Sequence, residues 1–435
     1  MTNQKSFTES YFFSVMLAII SVAFVYFSFG IFWEESMKYP PSVIYACISP
    51  PPLEAWFNEA MLFQVPVLGY LSAFFHHLPV LGIWFLFLQI LWLSLWFYLS
   101  IRIFSRVFSN SKTTSLLFAC GIVLCISGTS IFYIHVNRIS ILLIAASILL
   151  LIDNHFYGRP KQTILYFAFL LGCLTRLTSG VLVLVLLTFF LFLLVRNIQK
   201  VFKLLWFHWA TILLLISIVV VNKYTTSNPA LIIEQTYEYA LMDRHDVKPI
   251  SEMKTKNDSV KYQALTTLFL ITDSSQITLD FIDKVVDSKS LLNNGITIGD
   301  IRHLENTLLP ILIQYRVVLF CIYGLIVLLL IGCSTNVLFS VVILNLFGWL
   351  FLIGLSLKIS MYERFLEPWI GLLFIASLII IFLHSTKVHN LKKAGALLLL
   401  LVMLYSYYDK VKQDSVQEKE YNRNADKYLQ NLKAL

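Results

Sequence analysis

A chain of 435 residues with 58% hydrophobic and only 13% charged side chains, at a mean hydropathy of +0.76, is far from the roughly 25% charged residues of a soluble domain. It reads as an all-α polytopic membrane protein. The formal net charge of +8 does not point to nucleic acid, because the excess comes from basic clusters beside apolar runs that carry few acids, where anchoring to anionic headgroups accounts for it.

In chain order, eleven apolar runs predict membrane spans at 11–33, 78–104, 115–134, 139–153, 163–177, 181–196, 204–222, 307–331, 337–357, 364–384 and 394–408. The first is long, rich in aromatics and ends in Phe32-Trp33-Glu34 without a small-residue cleavage pattern, so it is expected to stay in place. Several runs are short for a full crossing, so their ends must extend into the flanking turns. Basic clusters follow alternate spans: Arg102, Arg106 and Lys112; Arg159 and Lys161; Arg196, Lys200 and Lys203; Lys387, Lys392 and Lys393. With Lys5 they place the N-terminus and these loops in the cytoplasm. The same alternation puts Glu34, Glu35, His135, Arg138, Arg176, Glu363, Arg364 and Glu367 on the outer side.

The expected organisation is an N-terminal membrane module (1–222), an outer lid (223–306), a C-terminal membrane module (307–408) and a polar tail (409–435). The first outer segment, 34–77, holds Pro40-Pro41, Pro50-Pro51-Pro52 and Pro66, which exclude one continuous helix. Its apolar stretch from Met61 to Phe75 is expected to form short interfacial helices. The second, 223–306, is too long for a simple connection and is expected to fold as a small cap. The six cysteines, Cys47, Cys120, Cys125, Cys173, Cys321 and Cys333, mostly lie inside apolar runs and show no metal-type spacing. No phosphate-binding glycine loop or nucleotide-binding domain is present in the sequence.

The outer charges are the candidates for chemistry. Glu34 and Glu35 come directly after the first span, beneath the proline-rich segment. A desolvated carboxylate there would serve as a base toward a hydroxyl, while the plainer reading is a pair that stops a helix. Arg176, in Gly172-Cys173-Leu174-Thr175-Arg176-Leu177-Thr178-Ser179-Gly180, offers a bidentate fork for phosphate oxygens; the alternative is a snorkelling arginine. His135 and Arg138 share the turn between spans three and four. Glu363, Arg364 and Glu367 open span ten, either as an internal ion pair or as a polar site, with Pro368 expected to start the helix near Leu366 or to kink it. Arg316, well inside the run 307–331, must find a carboxylate, phosphate or carbonyl partner. His76 and His77 lack a third ligand nearby, so no metal site is assigned.

Taken together these segments resemble the GT-C superfamily of integral-membrane glycosyltransferases, which use polyprenyl-phosphate-linked sugars. Glu34-Glu35 matches the location of the acidic pair after the first helix in that family, where Asp is frequent. Pro51-Pro52-Leu53-Glu54-Ala55-Trp56 and Val65-Pro66-Val67-Leu68-Gly69-Tyr70-Leu71 are similar to its proline-containing outer loop. Leu174-Thr175-Arg176 resembles a mid-chain Thr-Arg element, and Glu363-Arg364-Phe365-Leu366-Glu367-Pro368 a late Arg-x-x-x-Pro element.

The resemblance implies inverting transfer of a sugar from a polyprenyl-phosphate carrier to an acceptor glycan, lipid or protein outside the bacterial cytoplasmic membrane. Glu34 or Glu35 would be the base, and Arg176 and Arg364 would hold the phosphate, with Arg138, His135, Glu363 and Arg316 as further binding candidates. Glu in place of Asp leaves the use of a divalent cation open, and no cofactor is assigned. The partners implied are the lipid-linked donor, membrane lipids and the acceptor. Two other classes fit the same residues: a transporter or flippase for a phosphate-bearing amphiphile, and an envelope polymerase, ligase or acyltransferase using His135 or His76 as base.

Overall fold

The computed structural model describes residues 11–29, 80–108, 111–132, 136–158, 163–225, 298–357, 363–384, 394–410, 412, 413 and 416. The elements there are helices: α1 (Tyr11–Phe29), α2 (Val80–Val107), α3 (Lys112–Phe132), α4 (Val136–Phe156), α5 (Thr163–Thr175) and α6 (Leu177–Val195) in the first half. They continue with α7 (Ile198–Thr225), α8 (Ile298–Gln314), α9 (Arg316–Leu330), α10 (Thr335–Ser356), α11 (Glu363–His384) and α12 (394–410). Among the described residues six helices are long and apolar enough to cross a membrane: α2, α4, α6, α7, α10 and α11. A bent pair, α8 with α9, makes a seventh if it counts as one span, and α1, α3 and α5 contribute shorter apolar stretches.

Burial sorts these helices into a centre and a rim. In α4 every residue from Arg138 to Asn154 is buried, so this stretch has no exposed face and neighbours surround it. α2, α5, α6 and α11 pack on it. The membrane-spanning window of α11 is 94% buried and that of α4 is 89%, against 28% for α7 and 39% for α10. The rim turns large apolar side chains outward, among them Trp206, Leu213, Leu214 and Val221 on α7 and Phe339, Leu346 and Leu350 on α10. In a bilayer such a face is satisfied by lipid tails.

Small residues set the closest approaches. A Cβ on Gly172 of α5 would lie 2.5 Å from Ile144 Cγ1 of α4, and one on Gly348 of α10 would lie 2.4 Å from Leu373 Cδ2 of α11. Beside that second contact, the Trp369 indole N–H donates to the Gly348 carbonyl at 3.2 Å. A chain of polar groups crosses the same region. Asn345 Nδ2 donates to Ser377 Oγ at 2.9 Å, the Tyr323 hydroxyl donates to Asn345 Oδ1 at 3.2 Å, and Trp349 Nε1 donates to the Tyr323 hydroxyl. Such bonds tie α9, α10 and α11 together where tails supply no polar partner.

Among the described residues, two turns on the expected cytoplasmic side are held by local polar contacts. Ser115 Oγ reaches the Phe104 carbonyl at 3.1 Å, closing the turn from α2 to α3. Between α6 and α7, Arg196 takes the left-handed conformation (φ 52°) and Asn197 Oδ1 accepts from the Lys200 N–H at 3.1 Å.

Three boundaries differ from the sequence reading. The run 307–331 is not one straight span: it turns by 70° between α8 and α9 at Tyr315, whose φ and ψ of −88° and 5° depart from helical values. The elbow keeps its backbone bonds, since Tyr315 N–H still donates to the Ile311 carbonyl at 3.0 Å and its carbonyl accepts from Leu319 at 2.9 Å. The loop expected between spans five and six shrinks to Arg176 alone. α11 starts at Glu363, three residues before Leu366, and carries Pro368 inside it. The proline has no N–H to offer the Arg364 carbonyl one turn back.

Candidate functional site

Two buried ionic clusters lie at opposite ends of α4. At its C-terminal end Asp153 sits between Arg102 and Arg106 of α2, with Arg102 and Asp153 each 2% exposed. Arg102 Nη1 also donates to Asn154 Oδ1 at 2.7 Å, and Arg106 lies over the Tyr157 ring at 3.9 Å. The sequence alone reads both arginines as cytoplasmic anchors to anionic headgroups. The signal for pairing was present: Asp153 is an acid closing an otherwise apolar run, and the arginines are one turn apart.

At the N-terminal end, Arg138 Nη2 of the first turn meets Glu367 Oε2 of α11 at 3.3 Å, both side chains buried. Two residues on, Ser140 Oγ approaches the carbonyls of Gly172 at 2.8 Å and Arg176 at 3.1 Å. Those carbonyls belong to the C-terminal turn of α5 and to the corner residue itself, and they also accept from the Arg176 N–H at 3.0 Å and the Gly180 N–H at 3.3 Å. The corner is sharp. Arg176 is extended (φ −154°, ψ 100°), and a Cβ on Gly180 would lie 2.9 Å from Cys173 Sγ. One turn of α4 therefore holds both the Arg176 corner and the start of α11.

The predicted residues fall unevenly on this arrangement. Arg176 is half-buried at the corner. Arg138 is committed to its ion pair with Glu367, a partner that the sequence reading did not assign to it. Glu363 and Arg364 lie in the first turn of α11, where their backbone alone is described. They precede Glu367 by four and three residues, the spacing that shares a helix face. Arg316 is the first residue of α9 and is exposed, away from this junction in a groove built by α8 and α9. Glu34, Glu35, His76, His77 and His135, the first outer segment, and all of the expected lid except its ends at 223–225 and 298–306 lie outside the described residues.

Among the described residues no three His, Cys, Asp or Glu side chains converge as a metal-binding group. What the junction offers chemically is the Arg138–Glu367 pair and, at the corner, the half-buried guanidinium of Arg176, a fork that suits an anion. Comparison of the chain with protein-family models, with curated proteins and with solved structures finds no match.

Proposed function

We propose that the chain is an integral-membrane glycosyltransferase that moves a sugar from a polyprenyl-phosphate carrier to an acceptor outside the bacterial cytoplasmic membrane. In this reading it crosses the bilayer eleven times from a cytoplasmic N-terminus. The observation that carries the proposal is the meeting of the Arg176 corner and the first turns of α11, which bear Arg364, on one turn of α4. Segments far apart in sequence, each resembling a separate glycosyltransferase element, thus share one end of the helix bundle.

In the proposed reaction the bond from the anomeric carbon to the phosphate oxygen breaks, and the phosphate leaves on its polyprenyl chain. Arg176 and Arg364 hold the charge that develops on that phosphate. The acceptor hydroxyl forms the new bond from the opposite face, which inverts the anomeric centre. Its proton passes to Glu34 or Glu35. The segment 223–306 contributes to acceptor binding, and a divalent cation beside the phosphate is compatible with the scheme without being required by it.

The test is turnover by the purified protein in vesicles with radiolabelled polyprenyl-phosphate sugars. Arg176→Ala should fold and lose at least about 100-fold in rate, the scale of removing one donor to a developing anion. Arg176→Lys should recover little, because a point charge does not replace the fork. Full turnover by folded Arg176→Ala rejects the phosphate clamp. Passage of the intact lipid-linked sugar across the vesicle, with no covalent change, would instead identify a flippase.

A further inference from the structure

We infer that the elbow between α8 and α9 is a binding site for an anionic bilayer phospholipid, with its phosphate on Arg316 and one acyl chain along α9. The inference needs the chain to sit in a bilayer but does not rest on the transferase reading.

The groove has a volume of about 580 Å³ and is lined by Leu312, Arg316, Leu319, Phe320, Tyr323, Gly324 and Val327. Six of the seven are apolar, aromatic or glycine, and Arg316 alone is charged. Arg316 is exposed, and no carboxylate among the described residues pairs with it. An arginine facing hydrocarbon is costly unless it reaches a polar or anionic partner.

The position of Arg316 along the bundle says where that partner lies. Tyr323 of α9 bonds to Asn345 and Trp349 of α10, and Arg316 lies seven residues earlier, about 10 Å nearer the C-terminal end of α10. That is the end at which α11 begins. At the same level Lys410, near the end of α12, lies over the ring of the elbow residue Tyr315 at 3.4 Å. The neighbouring Asp409 is exposed and accepts from Gln413 Nε2 at 3.0 Å. Arg316 is therefore at headgroup height. From Arg316 to Val327 the groove runs about 16 Å along α9, close to half of the ~30 Å hydrocarbon core.

One leaflet of depth, an open apolar wall and one cation at the polar end match a phospholipid of that leaflet. The lining comes from α8 and α9 alone, with nothing from α4, α5, α6 or α11, which sets the groove apart from the Arg138–Glu367 junction. Its openness to the surrounding lipid favours a bilayer phospholipid over a substrate chain held inside the bundle.

Native mass spectrometry of the full chain, titrated separately with dioleoylphosphatidylglycerol, dioleoylphosphatidylcholine and a polyprenyl phosphate, tests this. The wild type should retain one phosphatidylglycerol in preference to phosphatidylcholine. Arg316→Gln should lower that retention about fivefold, the contribution of one cation near an anionic surface. Val327→Trp, which fills the groove and keeps the charge, should lower it as well, while Lys112→Gln at the opposite end should not. Unchanged phosphatidylglycerol retention in both groove variants overturns the assignment. So does a loss confined to polyprenyl phosphate, which would make the groove a substrate site.

Discussion

Arg138 in the first turn of α4 and Glu367 near the start of α11 form a buried ion pair, 3.3 Å from Nη2 to Oε2. With Ser140 reaching the Arg176 carbonyl from the same turn, the pair decides that the mid-chain corner and the late polar element share one end of the bundle. Glu367→Ala should cost about 3–5 kcal/mol, because it removes a buried carboxylate that pairs with a buried guanidinium. The double variant Arg138→Met with Glu367→Leu should recover much of that loss. Thermal unfolding of the three purified proteins measures both, and equal midpoints for Glu367→Ala and wild type would show that the pair carries no weight.

The cluster at the other end of α4 predicts an asymmetry between its members. Asp153→Ala should abolish folded yield, since it removes the carboxylate that neutralises Arg102, itself 2% exposed. Arg106→Gln should be mild, about 1 kcal/mol or less, because Arg106 is 27% exposed and water can replace much of its contact. Size-exclusion profiles of the two variants are the check. Similar behaviour would mean that Arg102 does not depend on Asp153.

Two glycines of the same helix should respond in opposite senses to alanine. At Gly348 the added Cβ would stand 2.4 Å from Cδ2 of the buried Leu373, so that side chain or the helix contact must shift, an overpacking cost of about 1–3 kcal/mol. At Gly354 nothing lies within 4 Å, and the gain in helix propensity should stabilise by up to about 1 kcal/mol. Comparing the unfolding midpoints of Gly348→Ala and Gly354→Ala tests the interface with a built-in control.

Sidedness is open to a direct test. A cysteine at position 274 should react with an impermeant thiol reagent in intact cells, and one at Lys112 should react only after permeabilisation. The expectation follows from the basic clusters beside alternate spans. The reverse pattern would invert the proposed orientation and move the Arg176 corner to the cytoplasmic side.

The membrane class and most helix positions were legible in the sequence, because a bilayer imposes its length and apolarity on each span separately, as in 335–356 and 363–384. Breaks inside apolar runs were less legible. Tyr315 as a residue type marks no elbow inside 307–331, whereas the break between spans five and six is expected from the sequence and only its exact place, at Arg176, is not. Least legible of all was the fate of each charge. Arg102, Arg138 and Arg316 look alike as arginines in or beside apolar runs, yet one is buried against Asp153, one is paired with Glu367, and one faces an open groove. Hydropathy acts along the chain, residue by residue, and so is written locally. Ion pairing needs two groups brought within a few ångströms, and only the packing of α2, α4 and α11 against one another decided which groups those were.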